Sequence, residues 1–192
     1  MSQTFFDDPE DAESPAALGM VLDEERGSLP YALIHGEPLV ACAGWALGEA
    51  GVTPLDSGVQ WSSVCGAGEP LVLHDSLCPM TPVEFIAACV RQALDEDVVV
   101  VGVRPVTDTV KVVTEGLVGD TVDRDQLRAV ASPVVLPPSV VAVLPEPPNT
   151  HLAALVAELA RSHRVVLVEA PATARRVSSL EDLALLEALT AG

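Results

Sequence analysis

Short apolar runs bounded by turn residues alternate along this chain with longer stretches in which apolar residues recur every three or four positions. Leu18-Gly-Met-Val-Leu22 predicts a buried first strand. The alanine-rich segment Glu37 to Ala50 predicts a helix ending near Gly51, and residues 51–70 carry turn residues with no periodic element. Leu71-Val-Leu73 predicts a second buried strand, with His74 and Asp75 at its C-terminal end. A helix signature follows: Thr81 to cap, Pro82 for the first position and Glu84 to complete a capping box. Val83, Ile86, Ala87, Val90 and Leu94 then fall on one helical face. The run Val98 to Val103 predicts a strand buried on both sides, so the order is that of a right-handed crossover in a parallel sheet.

Beyond it, Thr109 to Val113 and Leu117 to Val122 flank Thr114-Glu-Gly116 and predict a β-hairpin. Leu136 to Pro148 is a proline-studded connection. Thr150 is placed to cap a helix with Leu152, Leu155, Val156 and Leu159 on one face. Val165-Val-Leu-Val168 predicts another buried strand, and Ser178 with Glu181 opens a last helix running through Leu189. No internal repeat is present. The reading is an acidic, disordered tail over residues 1–15 and one α/β domain over 16–192, with a hairpin arm over about 105–127.

Composition narrows the function. At 49% hydrophobic residues the body of the chain folds, while no apolar run approaches the length of a membrane span. No basic start followed by an apolar stretch marks a secretory signal, so a soluble, cytoplasmic protein is expected, without a membrane partner. Twenty-eight acidic residues stand against 10 basic ones, a net charge of −18, which argues against nucleic-acid binding and makes a triphosphate site harder to build. Cys42, Cys65, Cys78 and Cys89 show no metal or redox spacing and read as reduced thiols. Dinucleotide, P-loop and nucleophile-elbow signatures are absent.

Three stretches carry more. They are His74-Asp-Ser-Leu-Cys-Pro-Met-Thr-Pro82, the pair Pro105-Val-Thr-Asp-Thr-Val-Lys111 and Thr121-Val-Asp-Arg-Asp-Gln-Leu127, and Arg176-Val-Ser-Ser-Leu-Glu-Asp-Leu-Ala-Leu-Leu-Glu187. In this order they resemble the H-D-A-A-R-P segment, the P-V-T-D-T-[IV]-K…T-[VL]-D-R arm and the K-[IV]-T-x-P-E-D-L tail of the 2-C-methyl-D-erythritol 4-phosphate cytidylyltransferase family. The resemblance covers roughly Leu29 to Leu189. It implies a Rossmann-like nucleotidyltransferase sheet with helices on both faces and a protruding β-arm that makes a homodimer or heterodimer. It also implies, for an active member, CTP and 2-C-methyl-D-erythritol 4-phosphate as substrates. Asp75 would hold magnesium, Arg26 and Arg176 would serve as catalytic cations, and Thr109 and Arg124 would hold the substrate phosphate across the dimer.

The chain departs from that pattern in one direction. In place of the family's glycine-rich loop stands Asp23-Glu-Glu-Arg-Gly-Ser28, which would set three carboxylates against three phosphates. The family's P-K-A-L lysine is Tyr31, and the H-D-A-A-R-P arginine is Cys78. Residues 51–70 are too few for a full strand–helix unit, so a sheet shortened by about one such unit is expected, with Ser62-Ser-Val64 a candidate remnant of the cytosine-contacting loop. Losing cations where catalysis works by charge neutralisation is costly. The expectation is therefore a divergent member of weak or no catalysis with a binding or regulatory role, in one form the partner of an intact paralogue. A working cytidylyltransferase with Asp75-bound magnesium and a repurposed small-molecule domain are the alternatives.

Overall fold

The computed structural model describes residues 16–56, 58–106, 111–114, 117–121 and 127–191. Its centre is a six-stranded mixed sheet of order β10-β6-β9-β5-β1-β4. The strands are β1 (Ala17–Leu22), β4 (Val52–Pro54), β5 (Leu71–Asp75), β6 (Val99–Pro105), β9 (Arg128–Leu136) and β10 (Val165–Glu169). All but β9 run parallel, and β9 inserts antiparallel between β5 and β6. The expected crossover from β5 through α3 (Val83–Glu96) to β6 therefore skips one position, which β9 fills.

Alternation along the central strands sorts the core into two layers. Val72, Val100 and Val135 point to the side covered by α1 (Leu39–Glu49) and α3, where they meet Leu47, Ile86 and Val90. Leu71, Leu73, Val99, Val101, Val134 and Leu136 point to the other side, against α2 (Trp61–Gly66), α4 (Pro138–Val141) and α5 (Leu152–Leu159). Each such fully buried aliphatic side chain contributes about 1.5–3 kcal/mol, so helices on both faces are what a sheet apolar on both faces requires. A third cluster joins Ile34, Leu39, Leu77 and Val177 to Leu183 and Leu186 of α6 (Leu180–Thr190). The two-residue strands β2 (Leu33–Ile34) and β3 (Glu37–Pro38) lead into α1, which starts two residues later than expected because Pro38 is extended.

Several expectations shift by a residue. Thr81 does not cap α3. Its hydroxyl donates to the Cys78 carbonyl, and Pro82 is the N-cap. His151, not Thr150, caps α5, its Nδ1 accepting from the Ala154 amide at 3.3 Å. Ser179 rather than Ser178 caps α6, accepting from the Asp182 amide. The shortening between Gly51 and Pro70 is a reduction and not an absence: β4 keeps three residues and α2 six, with Ser62 and Ser63 exposed and Val64 buried in α2. The hairpin forms as β7 (Lys111–Thr114) paired with β8 (Leu117–Thr121), a two-stranded sheet separate from the main one. Thr109, Arg124 and the tail over residues 1–15 lie outside the described residues.

Candidate functional site

The parallel strands end at one edge of the sheet, the edge at which open α/β sheets place ligands. Asp75 closes β5 there, and its carboxylate is the hub of the local chemistry. Its Oδ1 accepts from Arg26 Nε at 2.7 Å and from the Leu77 amide at 3.0 Å, and its Oδ2 accepts from Arg176 Nε at 3.0 Å. Arg26 donates further to the carbonyls of Glu24 at 2.6 Å and Thr150 at 3.2 Å. The Arg26 and Asp75 side chains are 8% and 7% exposed, whereas Arg176 is 44% exposed. Burial pushes the Asp75 carboxyl upward, but Arg26, the Leu77 amide and Arg176 outweigh it and hold the carboxyl below its ordinary value.

Support comes from the neighbouring strand. Ser132 of β9 accepts the Asp75 amide at 3.0 Å, and its Oγ lies 2.5 Å from Nδ1 of the fully buried His74. Beside the hub opens a cavity of about 510 Å³, lined by Glu25, Arg26, Asp75, Arg128, Thr150, His151 and Arg176 among others. Three sites expected from sequence thus meet at one point: Arg26, Asp75 and Arg176. Arg128 and His151, which sequence reasoning did not nominate, arrive with them. Arg128 sits at the first position of the antiparallel strand β9, which delivers it to the edge where β5 ends.

The loop departures have local explanations. Of the three loop carboxylates only Glu25 lines the cavity, while Asp23 accepts the Tyr31 hydroxyl at 3.1 Å. The expected line of three carboxylates facing a ligand is not what the loop makes, because Glu25 and Gly27 take left-handed backbone angles (φ 60° and 61°) and fold it over Arg26. Tyr31 is exposed at the surface. Cys78 is fully buried, its thiol pushed up by burial, and supplies no charge in place of the family's arginine.

Magnesium does not fit this donor set. It favours one or two carboxylates together with phosphate oxygens in octahedral array. Here one carboxylate already accepts three hydrogen bonds, two of them from guanidinium groups, and no cluster of three His, Cys, Asp or Glu occurs among the described residues.

The fold is a mixed α/β sheet with helices on both faces, carrying a buried carboxylate and converging arginines at its carboxyl edge. Solved cytidylyltransferase structures share that fold. The one from Thermus thermophilus superposes with a TM-score of 0.64 at 22% identity, covering 89% of this chain and 96% of its own. The synthase from Anaerococcus prevotii gives 0.63 at 14% identity over 92% and 98%. The sequence profile described as 2-C-methyl-D-erythritol 4-phosphate cytidylyltransferase matches residues 62–191, and the chain belongs to that family. The matched region begins beyond the acidic loop, so the departures concentrate outside it. A relative of that name from Corynebacterium diphtheriae is 30% identical over 65% of this chain, and one from Corynebacterium glutamicum is 42% identical over 33%. These alignments span less than half of each relative: 46% and 25%. No helix among the described residues is long and apolar enough to cross a membrane.

Proposed function

We propose that this chain is a cytidylyltransferase-family protein that binds a phosphorylated small molecule in the Asp75 cleft and transfers little or no cytidylyl group of its own. Its role is binding or regulatory, in a cytoplasmic setting suited to its four free thiols. In its sharpest form it pairs through the β-arm with an intact paralogue, to whose site Thr109 and Arg124 are lent. The observation that carries the reading is the Arg26–Asp75 pair. With both side chains under a tenth exposed, the loop's one cation and the carboxylate proposed for magnesium neutralise each other.

Phosphoryl-group chemistry of this kind depends on cations aimed at developing charge, and losing one such donor costs roughly a hundredfold to a thousandfold. Here Tyr31 and Cys78 replace two cations and Asp75 holds a third in Arg26. Pyrophosphate release from CTP, 2-C-methyl-D-erythritol 4-phosphate and magnesium is therefore expected at least about a thousandfold below an intact family member assayed alongside. A rate within tenfold of that member would overturn the proposal and favour the working enzyme. That second reading rests on the meeting of Arg26, Asp75 and Arg176 at one cavity, and on the exposure that lets Arg176 move.

A further inference from the structure

Trp45 turns away from the core that α1 covers. Leu39, Ala43, Ala46 and Leu47 take the buried side of that helix, and Trp45 stands 58% exposed on another. The chain's other tryptophan, Trp61, is half-buried, with its indole N–H bonded to the Leu144 carbonyl. An exposed indole forgoes the burial that folding could have gained, and tryptophan is among the residues most enriched as anchors of protein interfaces.

Trp45 borders an apolar groove of about 380 Å³. Ile34, Cys42 and Trp45 line it from β2 and α1, and Met80, Pro82 and Val83 from the segment that leads into α3. That segment is held in place: the Cys78 amide donates to the Asp75 carbonyl, the Thr81 hydroxyl donates to the Cys78 carbonyl, and Pro82 is fixed in extended geometry as the N-cap. The groove is thus formed before anything enters it, which lowers the cost of binding. It shares no lining residue with the Asp75 cleft.

The charge around the groove has one sign. From Leu29 to Ala50 and from Pro79 to Val90 the chain holds no lysine or arginine, and His35, hydrogen-bonded to Thr190, is the one basic side chain there. Glu37 lines the groove, Glu49 follows Trp45 by about one helical turn, and Glu84 adjoins Val83. All three glutamates are exposed, and none is ion-paired among the described residues. A second copy would bring a further net charge of −18 and the same acidic rim, and an anionic membrane surface is repelled for the same reason.

We infer that the Trp45 groove docks a basic segment of another protein, in which an aromatic or branched aliphatic side chain fills the groove and flanking lysines or arginines meet Glu37, Glu49 and Glu84. The apolar anchor supplies affinity, while the charges orient the segment and speed its encounter. The surface does not depend on what the Asp75 cleft binds.

Selection from a random dodecapeptide library on the full chain, with Trp45→Ala as counter-selector, tests it. Enriched peptides should carry an apolar residue flanked by lysine or arginine. They should bind Trp45→Ala and Glu37→Gln/Glu84→Gln about tenfold or more weakly than the wild-type chain in fluorescence anisotropy. A footprint on the wild-type chain keeps the test independent of any variant's folding. The selected peptide should slow iodoacetamide alkylation of Cys42, which lines the groove, and leave that of Cys65 in α2 unchanged. No enrichment over the counter-selector, enriched peptides without basic residues, or an unchanged Cys42 rate overturns the proposal. A Trp45-dependent dimer in analytical ultracentrifugation, or Trp45-dependent binding to phosphatidylcholine–phosphatidylserine vesicles, also overturns it and assigns the groove to a second copy or to a membrane.

Discussion

Burial disfavours charge on both His74 and Asp75, neighbours on β5, and only one of them is compensated. Asp75 has two guanidinium partners and an amide. His74 has the Ser132 hydroxyl at Nδ1 and no partner at Nε2 among the described residues, and burial pulls its pKa down to about 4 against the opposing pull of Asp75. The imidazole is therefore neutral in the folded chain at neutral pH. Between its unfolded value of about 6.5 and its folded one, the unfolded chain binds a proton that the folded chain refuses, so stability is lost as pH drops from about 6.5 to about 4, by on the order of 3 kcal/mol. The Asp75 shift has the opposite consequence for charge but the same direction for stability. Its contribution is complete above the ordinary value of about 3.9 and is lost as pH falls through its lower folded one. Urea midpoints between pH 4 and 8 should slope downward toward acid in the wild-type chain, and the part of the slope above pH 4 should flatten in His74→Gln. Equal slopes in both would place the proton elsewhere.

The seam between β6 and β9 is the element on which the site's geometry rests, since β9 brings both Ser132 and Arg128 to Asp75. At this seam the register shifts between Val101 and Val103, and a Cβ on Gly102 would stand 2.8 Å from the Ser132 carbonyl oxygen. That neighbour is backbone and yields only if the strands separate, so Gly102→Ala should destabilise by about 1–3 kcal/mol in urea titration and also weaken ligand binding in the Asp75 cleft. A loss of stability alone, with binding intact, would show that the seam does not position the site. This seam was also the hardest element to read from sequence. Pro133 in the run Val130 to Leu136 argues against a central strand, and the chain places it where the ladder is already irregular. α3, β6, β10 and α6 were legible because their apolar period or capping residues span enough positions. β4 and α2, three and six residues long, were not; they are fixed by distant contacts, β4 by packing Val52 over Gly19 and α2 by the Trp61 indole donating to the Leu144 carbonyl at 2.9 Å. The same limit applies to the site. Asp75, Arg26 and Arg176 were found through motif resemblance, whereas Arg128 belongs to no motif and meets them only through strand order.

Across the whole molecule, charge acts on two length scales. The 18-charge excess spreads over the surface and opposes compactness through repulsions that reach many ångströms, while Asp75 and Arg26 interact at hydrogen-bond distance and largely out of water. Salt separates these scales, because the Debye length shrinks from about 30 Å at 0.01 M to about 8 Å at 0.15 M and screens the spread charge first. Raising sodium chloride over that range should therefore raise Tm, with little further gain beyond it. A falling Tm would mean that exposed ion pairs such as Arg164–Glu96 outweigh the repulsion, against their expected small worth. Phosphate at matched ionic strength adds a second comparison. If the arginine-lined Asp75 cleft binds it, Tm should rise above the chloride value and continue to rise with concentration, since a ligand of the folded state stabilises in proportion to the logarithm of its occupancy ratio. Coincident chloride and phosphate curves would mean that an acidic surface repels the anion before the arginines at the sheet edge can hold it.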